Sequence, residues 1–294
     1  MNLIRVIFGP TASGKSSLAV GRCLALGDAI IINADAMQCY DALPILSAIP
    51  TQDEQRGVPH RLYGFLSATD TLNAAGWVAH AAREIEKAFA NNQTPMIVGG
   101  TGFYIKALME GLSPIPDIDP DIRAELMTQL EVKGLPALYM QLQTVDPVIA
   151  ARLKPSDPQR IIRALEVYEG TGTPLSDWQD MPLEKPSHDW QFHVTQINPS
   201  KEKLEHNIRA RLKNMMDAGA LAEARALSDR IDAGEVPENA AITIAHGFEY
   251  FRAYFKDQIT LEDALEKTAI ETRQYTKRQR TWLRHQLRAD EILD

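Results

Sequence analysis

Gly9-Pro10-Thr11-Ala12-Ser13-Gly14-Lys15-Ser16 follows the apolar run Leu3-Ile4-Arg5-Val6-Ile7-Phe8 and precedes the helix-like stretch Ser17-Leu18-Ala19-Val20. The octapeptide fits G-x-x-x-x-G-K-[ST], the pattern of a loop that wraps a phosphate chain. Its setting gives it weight: a buried strand, a glycine-rich turn and a helix N-terminus aim several backbone N–H groups at one anion. Gly9 and Gly14 permit the turn, Lys15 supplies a positive point charge, and the Ser16 hydroxyl is suited to Mg²⁺. The motif recognises a di- or triphosphate and is silent on what carries it.

Outward from the loop, strands are expected over 3–8, 29–34 and 95–99, and helices over 15–26, 74–90 and 102–110. Such alternation builds a doubly wound parallel sheet with its ligands at the carboxyl ends of the strands. Pro114, Pro116 and Pro120 break the pattern, and from Asp121 to Tyr168 the apolar spacing is helical, as in Ile122, Leu126, Leu130 and Ile161, Leu165, Tyr168. A strand-like segment returns over 190–197, and helices are expected from there to the C-terminus. The expected fold class is therefore α/β. A P-loop core with a parallel sheet flanked by helices spans 1–112 and 189–294, and an all-helical insertion domain spans 113–188.

At 294 residues, with 45% hydrophobic and 24% charged content, the chain has the composition of an ordinary globular protein. No stretch approaches the roughly eighteen apolar residues of a membrane span, and the N-terminus reads as a strand rather than a charged leader, so a cytoplasmic protein with no membrane partner is expected. Cys23 and Cys39 are the only cysteines and form no Cys-x-x-Cys motif, which argues against a disulfide scaffold or a zinc site. A net charge of −8 argues against a general nucleic-acid coat protein. Locally the balance reverses: Arg273, Lys277, Arg278, Arg280, Arg284 and Arg288 occur without an acidic residue among them, interleaved with Tyr275 and Trp282. That run is either a solvated helix face or a contact with a phosphate backbone.

Asp35 follows the apolar strand Ala29-Ile30-Ile31-Ile32-Asn33-Ala34, at the end that faces the ligand crevice. A carboxylate there has three candidate jobs: Mg²⁺ ligand, general base, or cap of the next segment. Thr101, in Gly99-Gly100-Thr101-Gly102-Phe103-Tyr104, either caps the following helix or meets the same phosphates. Arg160 and Arg163 are three apart and share a helix face, as lid arginines, RNA contacts or solvated ion-pair partners. Of Arg209 and Arg211, one is placed to reach back to a diphosphate. With no Asn-Lys-x-Asp guanine reader, and no second apolar run ending in an acid apart from Asp35, a motor or switch NTPase fits poorly and a small transferase fits better.

Taken in order, Gly9 to Ser16, Asp35-Ala36-Met37-Gln38-Cys39-Tyr40, Val58-Pro59-His60, Gly99 to Tyr104, Asp157 to Tyr168 and Thr272 to Arg284 resemble the bacterial tRNA dimethylallyltransferase family over essentially the whole chain. The resemblance implies transfer of a dimethylallyl group from dimethylallyl diphosphate to the exocyclic amine of the adenosine 3′ of the tRNA anticodon, with release of diphosphate. It implies a diphosphate held by Gly9, Pro10, Thr11, Ala12, Ser13, Gly14, Lys15 and Ser16, with Mg²⁺ at Ser16. Asp35 is implied as the general base, with Thr101 and Arg123 at the reacting nucleotide. The implied tRNA contacts are Asp35, Ala36, Met37, Gln38, Arg123, Gln159, Arg160, Ile161, Ile162, Arg163, Lys277, Arg278, Gln279, Arg280, Thr281, Trp282, Leu283 and Arg284. The helical insertion is implied to grip the anticodon stem-loop, and the chain is expected to act as a monomer.

Three departures from the family pattern bear on tRNA affinity or preference. Ala36 stands where serine is usual, Ile49 where lysine is common, and His246-Gly247-Phe248 where the family usually has Ile-Gly-Tyr. Other functions are weighed against the leading one: a P-loop small-molecule kinase with Arg160 and Arg163 as lid residues, a non-catalytic RNA-binding protein that senses nucleotide, and prenylation of free adenine nucleotides. The insertion and the basic helix favour RNA over a free nucleotide, which needs neither.

Overall fold

Strand β1 (Asn2–Phe8) is central to a six-stranded parallel sheet of order β3-β2-β4-β1-β5-β6. The computed structural model describes residues 2–294. β1 is followed by α1 (Lys15–Leu26), β2 (Ala29–Asn33), a 3₁₀ turn at Met37–Cys39, α2 (Pro44–Ser47), α3 (Gln52–Gln55) and β3 (His60–Arg61). Next come α4 (Ala74–Ala90), β4 (Thr94–Gly99) and α5 (Gly102–Glu110). The helices α6 (Pro120–Lys133), α7 (Leu135–Val145), α8 (Pro147–Arg152), α9 (Pro158–Thr171) and α10 (Leu175–Asp180) follow. The chain then forms β5 (Trp190–Ile197), α11 (Lys201–Asp217), α12 (Ala220–Asp232), a 3₁₀ turn at Ala241–Ile244, α13 (Phe248–Phe255), α14 (Leu261–Gln286) and β6 (Glu291–Leu293).

Of the four inner strands, β2 and β4 are buried along nearly their whole length and β1 over its carboxyl half, as a sheet covered on both faces requires. Ile7, Ile31, Met96 and Val98 pack with Ala19, Val20 and Cys23 of α1 on one face. Trp77 of α4 is fully buried, stacks on Tyr104 at 4.9 Å, and donates its indole N–H to the Asn33 carbonyl at 2.9 Å.

Residues up to Met109 together with Pro186–Asp294 form one compact unit around this sheet, and Glu110–Lys185 form a second. The second unit is built on Leu126, Leu138, Leu142, Ile149, Ile161, Ile162 and Leu165 from its packed helices. Asp146 anchors it from inside: the buried carboxylate accepts the Ile149 N–H and the Ser176 N–H, both at 2.9 Å.

Two strands depart from the sequence expectation. β3 pairs only at Ile31↔His60 and Ile32↔Arg61, too short to show an alternation. The expectation of helices to the C-terminus is corrected by β6, which pairs with β5 through Thr195↔Glu291 to Ile197↔Leu293. Side chains fix it there: Arg22 donates to Thr195 Oγ1 at 2.8 Å and to Glu291 Oε2 at 2.7 Å. Asp290 accepts the Val194 N–H at 2.8 Å. These partners are far apart in sequence and leave no local pattern.

Candidate active site

The phosphate loop joins β1 to α1 at the carboxyl edge of the sheet. Ser13 N–H closes a turn on the Pro10 carbonyl at 3.2 Å, and the chain passes through left-handed conformations at Ala12 (φ 62°) and Gly14 (φ 89°). Glycine at 14 adopts that conformation without the Cβ penalty, so α1 can begin at once with Lys15. No side chain caps α1 and its first turn carries no acid, leaving its N-terminal donors to an anion. The Ser13 hydroxyl is buried with no hydrogen-bond partner, a second sign of a loop shaped around a missing acceptor.

Lys15 keeps part of its side chain at the surface. The protein packed around its ammonium nevertheless removes enough water to lower its pKa to about 8, against the opposing pull of Asp35. Arg211 of α11 is close enough to Lys15 to disfavour its charge, and donates to the Ser47 carbonyl at 3.2 Å. Of the two arginines in that helix, Arg211 is the one at the loop. Arg209 points elsewhere, to Glu266 at 2.9 Å and Glu205 at 3.1 Å.

Asp35 sits just past β2. Asn33 clamps its backbone from both sides, Oδ1 accepting the Asp35 N–H at 2.8 Å and Nδ2 donating to the Asp35 carbonyl at 2.9 Å. One carboxylate oxygen accepts the Met37 N–H at 3.2 Å, which fixes the side chain at the start of the 3₁₀ turn. Thr101 does not cap α5 with its hydroxyl. Its Oγ1 accepts the Ala36 N–H at 3.0 Å and its own N–H donates to the Ala34 carbonyl at 3.0 Å, tying the β4 loop to the Asp35 loop.

Asp35, Met37 and Thr11 line one cavity with Arg211, and Leu46, Ile208, Leu212 and Met215 form its apolar wall. His246, Thr268, Thr272 and Tyr275 complete it. Burial and the Asp35 charge push the Tyr275 hydroxyl up to about 12, so it is a neutral donor at physiological pH. Gln38 lies behind this wall, donating to the Ser47 and Ala48 carbonyls at 3.0 and 2.7 Å. The wall is braced by Glu223 of α12, whose carboxylate accepts the Ile45 and Leu46 N–H groups at 2.7 and 2.8 Å.

The basic segment of α14 divides by helical phase. Lys277, Arg278, Thr281 and Arg284 are exposed, and Arg280 is partly so. Gln279 and Leu283 are buried, and Trp282 packs on Gly102, where a Cβ would collide with its ring. Gln279 and Leu283, named among the implied tRNA contacts, have their side chains inside the fold.

In the helical unit, Gln159, Arg160 and Arg163 are exposed on α9. Arg163 and Arg123 converge on Glu166, at 3.3 and 3.0 Å, and Arg160 pairs with Asp157 at 3.4 Å. Ile161 and Ile162, also among the implied tRNA contacts, are 0% and 2% exposed, with their side chains in the core of that unit.

This geometry can be set beside known proteins. The sequence model of the IPP transferase family matches residues 38–286, and that of isopentenyl transferases matches residues 2–73. The tRNA dimethylallyltransferase of Granulibacter bethesdensis is 44% identical, over 95% of this chain and 86% of its own. That of Azorhizobium caulinodans is 41% identical, over 96% and 89%.

The chain belongs to the tRNA dimethylallyltransferase family. Solved structures agree in fold. A tRNA isopentenylpyrophosphate transferase from Bacillus halodurans superposes with a TM-score of 0.68 at 28% identity, covering 100% of this chain and 89% of that one. A eukaryotic dimethylallyltransferase solved acting on tRNA gives 0.79 at 25% identity, covering 96% and 69%. Among the described residues no helix is long and apolar enough to cross a membrane.

Proposed function

We propose that this member of the family transfers the dimethylallyl group of dimethylallyl diphosphate to the exocyclic amine of the adenosine 3′ of the anticodon in tRNA, releasing diphosphate. The observation that carries this reading is the meeting of Asp35, the phosphate loop and an apolar wall in one cavity. A diphosphate on the loop directs its five-carbon tail against Leu46, Ile208, Leu212 and Met215. The amine approaches from Asp35.

In the transfer, the C1–O bond breaks with its electron pair leaving on diphosphate, the N–C1 bond forms, and the amine proton passes to Asp35. The amine lone pair is delocalised into the adenine ring, so removing its proton as the bond forms supports the nucleophile. Lys15, Arg211 and the α1 N-terminus stabilise charge building on the leaving group. Mg²⁺ would be held beside the diphosphate by the Ser16 hydroxyl at the end of the loop. Bound there, Mg²⁺ would neutralise leaving-group charge.

The target base must be splayed from its loop to reach Asp35. Arg123, Gln159, Arg160 and Arg163 of the helical unit, and Lys277, Arg278, Arg280 and Arg284 of α14, are proposed to hold the anticodon stem-loop. The chain is proposed to act as a monomer, and a tRNA substrate suits the cytoplasm. Family membership sets the small-molecule kinase aside.

Asp35→Ala is expected to bind tRNA as the wild type does and to slow single-turnover transfer by about 10²–10⁴-fold. Near-normal transfer by this variant removes Asp35 as the base. Unchanged prenylated adenosine in tRNA digested from cells lacking the protein removes the activity itself.

A further inference from the structure

His246 stands between the Ala241–Ile244 turn and α13. Its side chain lines the cavity shared by Thr11, Asp35 and Arg211. The imidazole is held on two sides. Nδ1 lies 3.3 Å from Glu271 Oε1, an ion-pair contact without an aligned hydrogen bond, and the ring tilts 54° against Tyr275 with 4.4 Å between centroids. Glu271 is itself fixed, since its other oxygen accepts the Gly247 N–H at 3.1 Å.

Burial pushes the Glu271 carboxyl up, and His246, the Gly247 N–H and Arg278 together bring it below the usual carboxylate range. It is therefore an anion at neutral pH, on the Nδ1 side of the ring. With Nδ1 turned to that anion, Nε2 is the ring nitrogen left to a ligand.

We propose that His246, held by Glu271, is a third cation of the diphosphate site beside Lys15 and Arg211, its Nε2–H donating to the bound diphosphate; this role rests on the prenyl-diphosphate reading of the cavity. Burial lowers the Lys15 pKa to about 8. The desolvated Arg211 guanidinium is committed in part to the Ser47 carbonyl. The charged or titratable groups near His246 are Glu271 and Tyr275 of α14, which contact the ring, Arg278, which acts on Glu271, and Asp35 and Arg211, which line the same cavity and interact with Lys15.

The test follows the His246 Hε1 resonance of the full chain by proton NMR, assigned by its loss in His246→Ile, with and without inorganic diphosphate. Its titration midpoint is expected to move to higher pH when diphosphate is added. Calorimetry at pH 6 and pH 8.5 is expected to show that acid tightens diphosphate binding roughly tenfold more in wild type than in His246→Ile. Glu271→Gln is expected to weaken binding at pH 6 while leaving the Hε1 resonance in place, which a purely structural carboxylate would not do. An unmoved midpoint, with the same pH dependence in both proteins, overturns this role alone and leaves the transferase reading standing. Wild-type protein that binds no diphosphate at either pH overturns the reading of the cavity, and this role with it.

Discussion

Gln279 holds the phosphate loop in place by way of Thr11: its Oε1 accepts the Thr11 N–H at 2.9 Å, across 268 positions of chain. The same side-chain amide donates from Nε2 to the Gly100 carbonyl at 3.0 Å. One buried amide thus ties together the loops that follow β1 and β4, and links both to the helix that presents the basic face. A fully satisfied buried amide is directional, so it sets the spacing of the loops as well as their contact.

Replacing Gln279 with Leu fills similar space and strands both backbone groups without partners. Each unpaired buried group costs about 1–3 kcal/mol. Gln279→Leu is expected to lower stability by about 2–4 kcal/mol in urea unfolding and to raise KM for dimethylallyl diphosphate. Wild-type stability and KM together would show that the two hydrogen bonds carry no weight.

Lys15 titrates near pH 8 in the ligand-free protein, lowered from an ordinary value of 10.5. Between those two values the unfolded chain holds a proton that the folded chain has released, so this group makes stability rise with pH across that window. Diphosphate favours the ammonium form. At pH 8 its binding is expected to take up roughly half a proton, read by calorimetry in buffers of different ionisation enthalpy. Lys15→Met is expected to abolish the uptake along with most of the affinity. Binding without proton uptake at this pH would place the ammonium away from the ligand.

Lys277, Arg278 and Arg284 are exposed on α14, Arg278 with its guanidinium 5.7 Å from the Tyr275 ring centroid. Changing each to Ala is expected to weaken tRNA binding and to reduce the slope of log affinity against log salt by about 0.7–0.9 for every phosphate the side chain neutralises. Unfolding midpoints are expected to stay within about 0.5 kcal/mol of wild type. An unchanged salt slope in the triple variant would mark this face as solvated and nothing more.

Neighbours on α9 separate in the same way. Ile161→Ala is expected to cost about 2–5 kcal/mol of stability, since a 0% exposed side chain is removed from a packed core. Arg160→Ala, at an exposed position, is expected to leave stability nearly unchanged. Its tRNA affinity is expected to fall at low salt. A stability loss confined to Arg160→Ala would reverse these assignments.

Much of the core was legible because its signals are local. β1 and the phosphate loop are adjacent in sequence, and the helices over 15–26, 74–90 and 102–110 coincide with α1, α4 and α5. Asp35 was legible for the same reason, as the first acid after an apolar strand. β3 escaped notice because two residues carry no periodicity, and β6 because Arg22, Val194 and Thr195 hold it from afar.

Within α14 the buried positions include Thr268, Thr276 and Gln279, so its inward face is not an apolar stripe and the run reads as uniformly basic. A recognised motif names a stretch of residues, while helical phase decides which of them face outward. That is why Gln279, Leu283, Ile161 and Ile162 were grouped with arginines whose surroundings they do not share.

By itself the sequence determined the phosphate loop, the strand that ends at Asp35, the alternation that makes a parallel sheet, and the family. These follow from neighbours in the chain, where backbone geometry and hydrophobic period act over a few residues. Only the tertiary structure decided that Arg211 rather than Arg209 reaches the loop, that Thr101 secures Ala36 rather than α5, that Gln279 ties Thr11 to Gly100, and that His246 lines the cavity. Those outcomes depend on which polar groups meet across long chain separations when the core closes, and on the cost of leaving any of them unpaired.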